Sequence, residues 1–260
     1  MVSPINFPGI ARQPTASRGT DCTSDQNPET KAMTTISYSR PIDRTVRIEM
    51  DNTSIEADWT MPIDARGAVI FVQGCGNSRF SRRNREVARK LYDQGLATLL
   101  PDLFTPDEER EDMLTASLRF DVNRLVERVL GVTRWLSREQ EAASLPVGYF
   151  ATGIGAGAAL LAAALRKDLV AAVVSHSGRP DLAGIALNKV KAPTLLIAGS
   201  ADSEVLALNR WAYWRMECER HLELVPGSSH SFEEGGATEA ATVLAAEWFD
   251  LHLAAQHAAF

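Results

Sequence analysis

Two ionisable residues in the C-terminal third have the types and spacing of an acid/base pair. In APTLLIAGSADSEVL, residues 192–206, Asp202 follows an apolar run; in HLELVPGSSHSFEE, residues 221–234, His230 follows the next one. A carboxylate beside an imidazole fixes its tautomer and stabilises the imidazolium, which lets the other ring nitrogen move a proton. Either residue alone reads as a capping Asp or a surface His. Both falling just beyond consecutive strand candidates favours the pair.

A nucleophile for that pair would come earlier in the chain, on a tight strand-to-helix turn of the G-x-S-x-G kind. VGYFATGIGAGAALLAAAL, residues 147–165, has this form, but the turn contains no Ser, Cys or Asp. Strand and helix backbones pass close at such a turn, so the residues two before and two after its centre must be small. Centring on Gly153 places Ala151 and Gly155 there, whereas centring on Thr152 would place Phe150 and Ile154. Gly153 therefore occupies the nucleophile position, where a positive φ is expected and glycine adopts it without cost. The competing reading is a phosphate-binding G-x-G-x-G loop. It is weak, because the turn lies late in the chain and no acidic residue ends the next strand, AAVVSH, to hold a ribose.

GAVIFVQGCGNSR, residues 67–79, offers a loop in which Gly74 and Gly76 let backbone N–H groups turn toward a substrate oxygen. Gln73, Gly74, Gly153, Ile154 and Ser177 are the expected substrate-binding positions. Cys75, as a thiolate, and Ser177, which ends AAVVSHS, are the two candidates for a relocated nucleophile. Asp102 reads as a turn cap more readily than as a ligand contact, and Arg79, Arg82, Arg83 and Arg85 as a solvated or ion-paired basic run, with an anionic substrate group as the alternative partner for one of them.

Elements that could position these residues are legible from about residue 44. TVRIEM and SIEADWT alternate like an antiparallel edge pair joined at DNT. AVIFVQ, LATLLPD, VGYFA, AAVVSH, APTLLIAG and HLELVP are continuous apolar runs typical of strands buried on both faces. Helices are expected over 83–94, 116–138, 154–166, 182–188, 205–216 and 238–253. The alternation predicts about eight strands in a mostly parallel sheet with helices on both faces, and functional side chains just beyond the carboxyl ends of the strands.

From about Gly67 to Leu253 the chain resembles the dienelactone hydrolase-like branch of the α/β-hydrolase family. The segments that carry the resemblance are GNSRFSRRNREVARKLYDQGLATLLPDLFTPDEE, LRFDVNRL, LPVGYF, SGRPDLAG, APTLLIAGSADS and VPGSSHSFEE. The resemblance implies the α/β-hydrolase fold and, conditionally, ester or lactone hydrolysis. The departures are in the site: the family's usual His-Gly is Gln73-Gly74 here, and its elbow Ser or Cys is Gly153. Because Cys75, Ala151 and Thr152 depart as well, the pattern favours natural divergence over a single engineered change.

The 260 residues fit one large domain, expected over 41–260 after a mobile tail over 1–40 that is rich in Pro, Ser, Thr and Gly; Met33 is an alternative start. A net charge of −6 argues against a broad nucleic-acid or anionic-membrane surface and leaves a small-molecule substrate as the expected partner. Three widely spaced cysteines argue against a disulfide framework or zinc cluster. No metal or cofactor is expected, and the expected compartment is the reducing cytoplasm. Three function classes follow. One is acid/base chemistry by the Asp202–His230 dyad without a covalent intermediate, as a lyase, isomerase, cyclase or direct hydrolase. Another is a hydrolase with a relocated nucleophile, and the third a silent binding or scaffold protein. The intact dyad favours the first.

Overall fold

The computed structural model describes residues 41–51, 53–74 and 78–257, with side chains through Leu253. The N-terminal tail expected over 1–40, Cys75 and Gly76 lie outside the described residues.

All eight expected strands form, and they make one sheet: β1 (Ile42–Met50), β2 (Thr53–Met61), β3 (Ala68–Val72), β4 (Ala97–Pro101), β5 (Val147–Gly153), β6 (Val170–Gly178), β7 (Thr194–Gly199) and β8 (Arg220–Val225). Their spatial order is β1-β2-β4-β3-β5-β6-β7-β8. β1 pairs antiparallel with β2 and β2 with β4, while the six strands from β4 to β8 run parallel. The continuous apolar runs supply the parallel strands because both of their faces are covered.

Helices α1 (Arg82–Asp93) and α6 (Ala237–His257) cover one face, where Phe71, Phe150, Val174 and Ile197 meet Leu91, Trp248 and Phe249. The other face carries α3 (Val122–Leu136), α4 (Gly155–Leu165) and α5 (Ser203–Tyr213), which bury Leu125, Val129, Leu160 and Ala212 against Ile70, Tyr149 and Leu196. Helix α4, uncharged and built wholly of Gly, Ala and Leu, is nearly all buried. Its small residues let it lie directly on the sheet and against the 3₁₀ segment Pro180–Lys189, which kinks at Gly184.

One expected helix differs. The helix expected over 116–138 forms as α3 only from Val122 to Leu136, and a helix that was not expected, α2 (Pro106–Thr115), precedes it and ends in a left-handed Ala116 with φ 54°. Local hydrogen bonds make the break. Thr105 and Glu108 form a reciprocal capping box at the start of α2. The Asp112 side chain accepts from Leu118 N at 2.9 Å and Arg119 N at 2.7 Å, and Asp121 accepts from Arg124 N at 3.0 Å to start α3.

Candidate active site

The turn after β5 has the expected geometry. Gly153 has φ +54°, and a Cβ built on it would meet nothing within 4 Å. Two residues before it Ala151 is fully buried, and two after it a Cβ on Gly155 would stand 2.4 Å from Val72 O. The turn is therefore as tight as the small-x-Gly-x-small pattern requires, and it presents an open position where a nucleophile would project.

The loop after β3 comes down against this turn. A Cβ on Gly74 would lie 2.7 Å from Ile154 Cγ1, so the Gly74 backbone packs directly on the Ile154 side chain. Ile154 caps α4, which places its N–H at the positive end of that helix. Gln73 is only 1 % exposed, and its Oε1 accepts from Asn84 Nδ2 of α1. Its side chain thus lies behind the loop rather than on its open side. The loop is held from its far end by Arg79, whose backbone N donates to Asp102 Oδ1 at 2.7 Å and whose guanidinium pairs with Asp102, Glu56 and Asp58. Asp102 is accordingly an anchor for this loop, and Arg79 belongs to a network, with its pKa held above the ordinary arginine value by those carboxylates against the opposing effect of burial.

Asp202 and His230 are brought together. His230 Nδ1 is 3.1 Å from Asp202 Oδ2, while Asp202 Oδ1 caps α5 by accepting from Val205 N at 3.1 Å. The cap and the imidazole partner are one carboxylate. Ser177 joins them: its Oγ is 3.0 Å from His230 Nδ1 and donates to His230 O at 2.8 Å. Since that O–H is used on the carbonyl, the Ser177 lone pair faces Nδ1, and a carboxylate can only accept. Both neighbours therefore call for a proton on Nδ1, which leaves the Nε2 lone pair free. The ring is 61 % exposed on its side chain, open to a substrate.

Gly153 pairs with Gly178 across β5 and β6, and Arg179 N donates to Gly153 O at 2.8 Å. The residue before Gly178 is Ser177, so the end of β6 that adjoins the open turn also carries the contact to the imidazole.

The His230 loop is pinned below by residues the sequence did not single out for it. Phe232, at φ +53°, packs its ring edge-on to His176 with centroids 4.4 Å apart, and Arg83 donates to Ser231 O. His176 is 1 % exposed, neither ring nitrogen has a hydrogen-bond partner, and burial, with Arg83 and His230 nearby, pushes its pKa down to about 3. Asn84 and Phe232 carried no sequence signal beyond ordinary helix and loop composition, and Arg83, part of the basic run read as solvated or ion-paired, donates instead to the backbone of this loop. Among the described residues no group of three or more His, Cys, Asp or Glu gathers as a metal site, and no helix is long and apolar enough to cross a membrane.

Comparison with known proteins agrees with this geometry. The sequence model of the Dienelactone hydrolase family matches residues 55–253. A dienelactone hydrolase from Anabaena variabilis is 46 % identical, with a TM-score of 0.80 over 82 % of this chain and 99 % of that one. A carboxyl esterase from the fungus Tuber melanosporum shares the fold at 14 % identity, with a TM-score of 0.65 over 83 % of this chain and 89 % of its own. Two curated proteins from strains of Mycobacterium tuberculosis, provisionally named phosphoribosyl transferases, are 47 % identical over 211 residues, 81 % of this chain. The chain spans about half the length of these relatives, 47 % of each. With the eight-stranded sheet, the tight turn and the family match in agreement, the chain belongs to the dienelactone hydrolase family and has the α/β-hydrolase fold.

Proposed function

We propose that the protein is an acid/base enzyme in which His230 Nε2 moves a proton to and from an oxygen held over Gly153, and that its substrate is a small carbonyl, ester or lactone compound. The observation that supports this reading is the pairing of an open nucleophile position with an imidazole whose Nδ1 edge is fully occupied by Asp202 and Ser177. A base so held is oriented for water or a substrate hydroxyl at Nε2.

For an ester or lactone the step balances without a covalent enzyme intermediate. His230 Nε2 takes a proton from water as its oxygen bonds to the carbonyl carbon, and the carbonyl π pair moves to oxygen. The N–H groups of Ile154 and of the Gly74 loop would hold that oxyanion. Collapse then expels the alkoxide, which takes the proton back from Nε2. Gln73, bonded to Asn84, would support the loop from behind. In this reading Ser177 is not a relocated nucleophile, because it faces Nδ1 and spends its proton on the His230 carbonyl. The activity in the name of the mycobacterial proteins is not carried over, since the chain reaches under half of their length.

The test is hydrolysis of a panel of activated aryl esters and small lactones by the whole chain, with intact-mass analysis during turnover. Turnover without an acyl adduct, lost by about 10²-fold or more in His230→Ala, is the expected result. A covalent adduct on Cys75 would replace this reading with a thiolate mechanism. Absence of turnover across the panel, with saturable binding intact, would leave a binding protein.

A further inference from the structure

The end of β6 departs from regular pairing at one residue. Thr152 pairs with His176 but Gly153 pairs with Gly178, so Ser177 is an extra residue in β6 with no counterpart in β5. Its φ is +48°, a left-handed conformation that non-glycine residues avoid. A bulge of this kind re-aims a side chain, and bulges gather next to active sites. Here the re-aimed atom is Ser177 Oγ, which contacts both His230 Nδ1 and His230 O.

The neighbours make room for it. A Cβ on Gly178 would stand 2.3 Å from Ser175 Oγ and 2.4 Å from Ala156 Cβ, so only glycine lets the strand close on α4 after the bulge. His176, one residue earlier, packs against Phe232 two residues beyond His230. Two consecutive residues, His176 and Ser177, thus grip the same loop.

The geometry points to Ser177 as a strained positioning residue that shares the Nδ1 proton of His230 with Asp202 and sets the imidazole's tautomer and direction. Strain kept at a buried residue, 5 % exposed, with two directed hydrogen bonds is a structural cost that a mere turn would not retain. An Asp alone, beside a ring this exposed, would compete with water for the Nδ1 proton. A second, buried acceptor removes that competition. The inference rests on His230 being the proton carrier of the site, but its readout does not require turnover.

The experiment is ¹⁵N NMR of the imidazole nitrogens in the full chain, comparing the native protein with Ser177→Gly and Ser177→Ala. Glycine relieves the strained φ, so Ser177→Gly should melt no lower than the native protein; alanine keeps the strain and controls for backbone freedom. In both, the share of neutral His230 carrying its proton on Nδ1 should fall at least twofold, and kcat for any ester found to turn over should fall about tenfold with KM little changed. A tautomer shift in a protein that hydrolyses no ester would uphold the role of Ser177 and sink only the ester reading. A native tautomer ratio in both variants would overturn the inference.

Discussion

The carbon that Gly155 lacks would stand 2.4 Å from the carbonyl oxygen of Val72, so α4 meets β3 backbone against backbone. The obstacle is main chain on both sides and cannot rotate away. Gly155→Ala should therefore separate helix and strand and cost about 3 kcal/mol, at the upper end for an overpacked core. Urea unfolding of the variant measures this, and a loss below about 0.5 kcal/mol would show that the contact has slack. Gly153→Ala, two residues away, meets no atoms and should cost only the left-handed strain of about 1–2 kcal/mol.

The contrast between these two glycines also explains what sequence could and could not show. The spacing of Ala151, Gly153 and Gly155 is a local requirement of a tight turn, and the structure reproduces it. The parallel strands were legible for a similar reason, since burial on both faces writes itself as an unbroken apolar run. The break between α2 and α3 depends on the Asp112 and Asp121 side chains choosing backbone partners, and a helical period cannot reveal that choice, whereas Thr105-Pro106-Asp107-Glu108 is a local start signal of the capping-box kind. The direction of Ser177 is less legible still. It follows from a register shift between two strands, a property of pairing, and not of the residues themselves. Gln73 likewise has its side chain turned toward Asn84 by the pleat of β3, which places it on the same face as Phe71.

His176 makes stability depend on acid. Burial holds its folded pKa near 3, whereas the unfolded residue titrates near 6.5. Between those values the unfolded chain binds the extra proton, so the free energy of unfolding falls as pH falls, by about 1.4 kcal/mol per pH unit from this residue. Stability from the neutral ring is complete above pH ~6.5 and is lost progressively on descent toward pH ~3. His176→Leu removes the proton site while keeping apolar bulk against Phe150 and Phe232. Unfolding curves at pH 7 and pH 5 should show the native protein losing more stability than the variant; parallel losses would place the acid sensitivity elsewhere.

Restoring a nucleophile tests how much of the site remains. Gly153→Ser puts a hydroxyl where no atom stands within 4 Å of the new Cβ, at a strain cost of about 1–2 kcal/mol. The expected outcome is a covalent acyl-enzyme with an activated aryl ester, seen by intact mass, which the native protein does not form at position 153. A folded variant that never acylates would mean that the Gly74 loop does not supply the oxyanion donors that serine chemistry needs.

Asp202 allows capping and catalysis to be separated, because its two carboxylate oxygens do different work. Oδ1 caps α5 through Val205 N, and Oδ2 faces His230 Nδ1. Asparagine is as good an N-cap as aspartate, so Asp202→Asn should leave the unfolding midpoint close to native. It removes the negative charge opposite the imidazole, so the imidazolium formed during proton transfer loses its stabilising partner, and turnover should fall while substrate affinity changes little. Asp202→Ala loses both functions and should lower stability by about 1 kcal/mol in addition. His230→Ala should abolish turnover and leave stability nearly unchanged, since its ring is largely exposed. Thermal melts and turnover measured on the three variants give the pattern directly. If Asp202→Asn keeps full activity while Asp202→Ala loses it, the carboxylate is a helix cap alone, and the imidazole draws its orientation from Ser177.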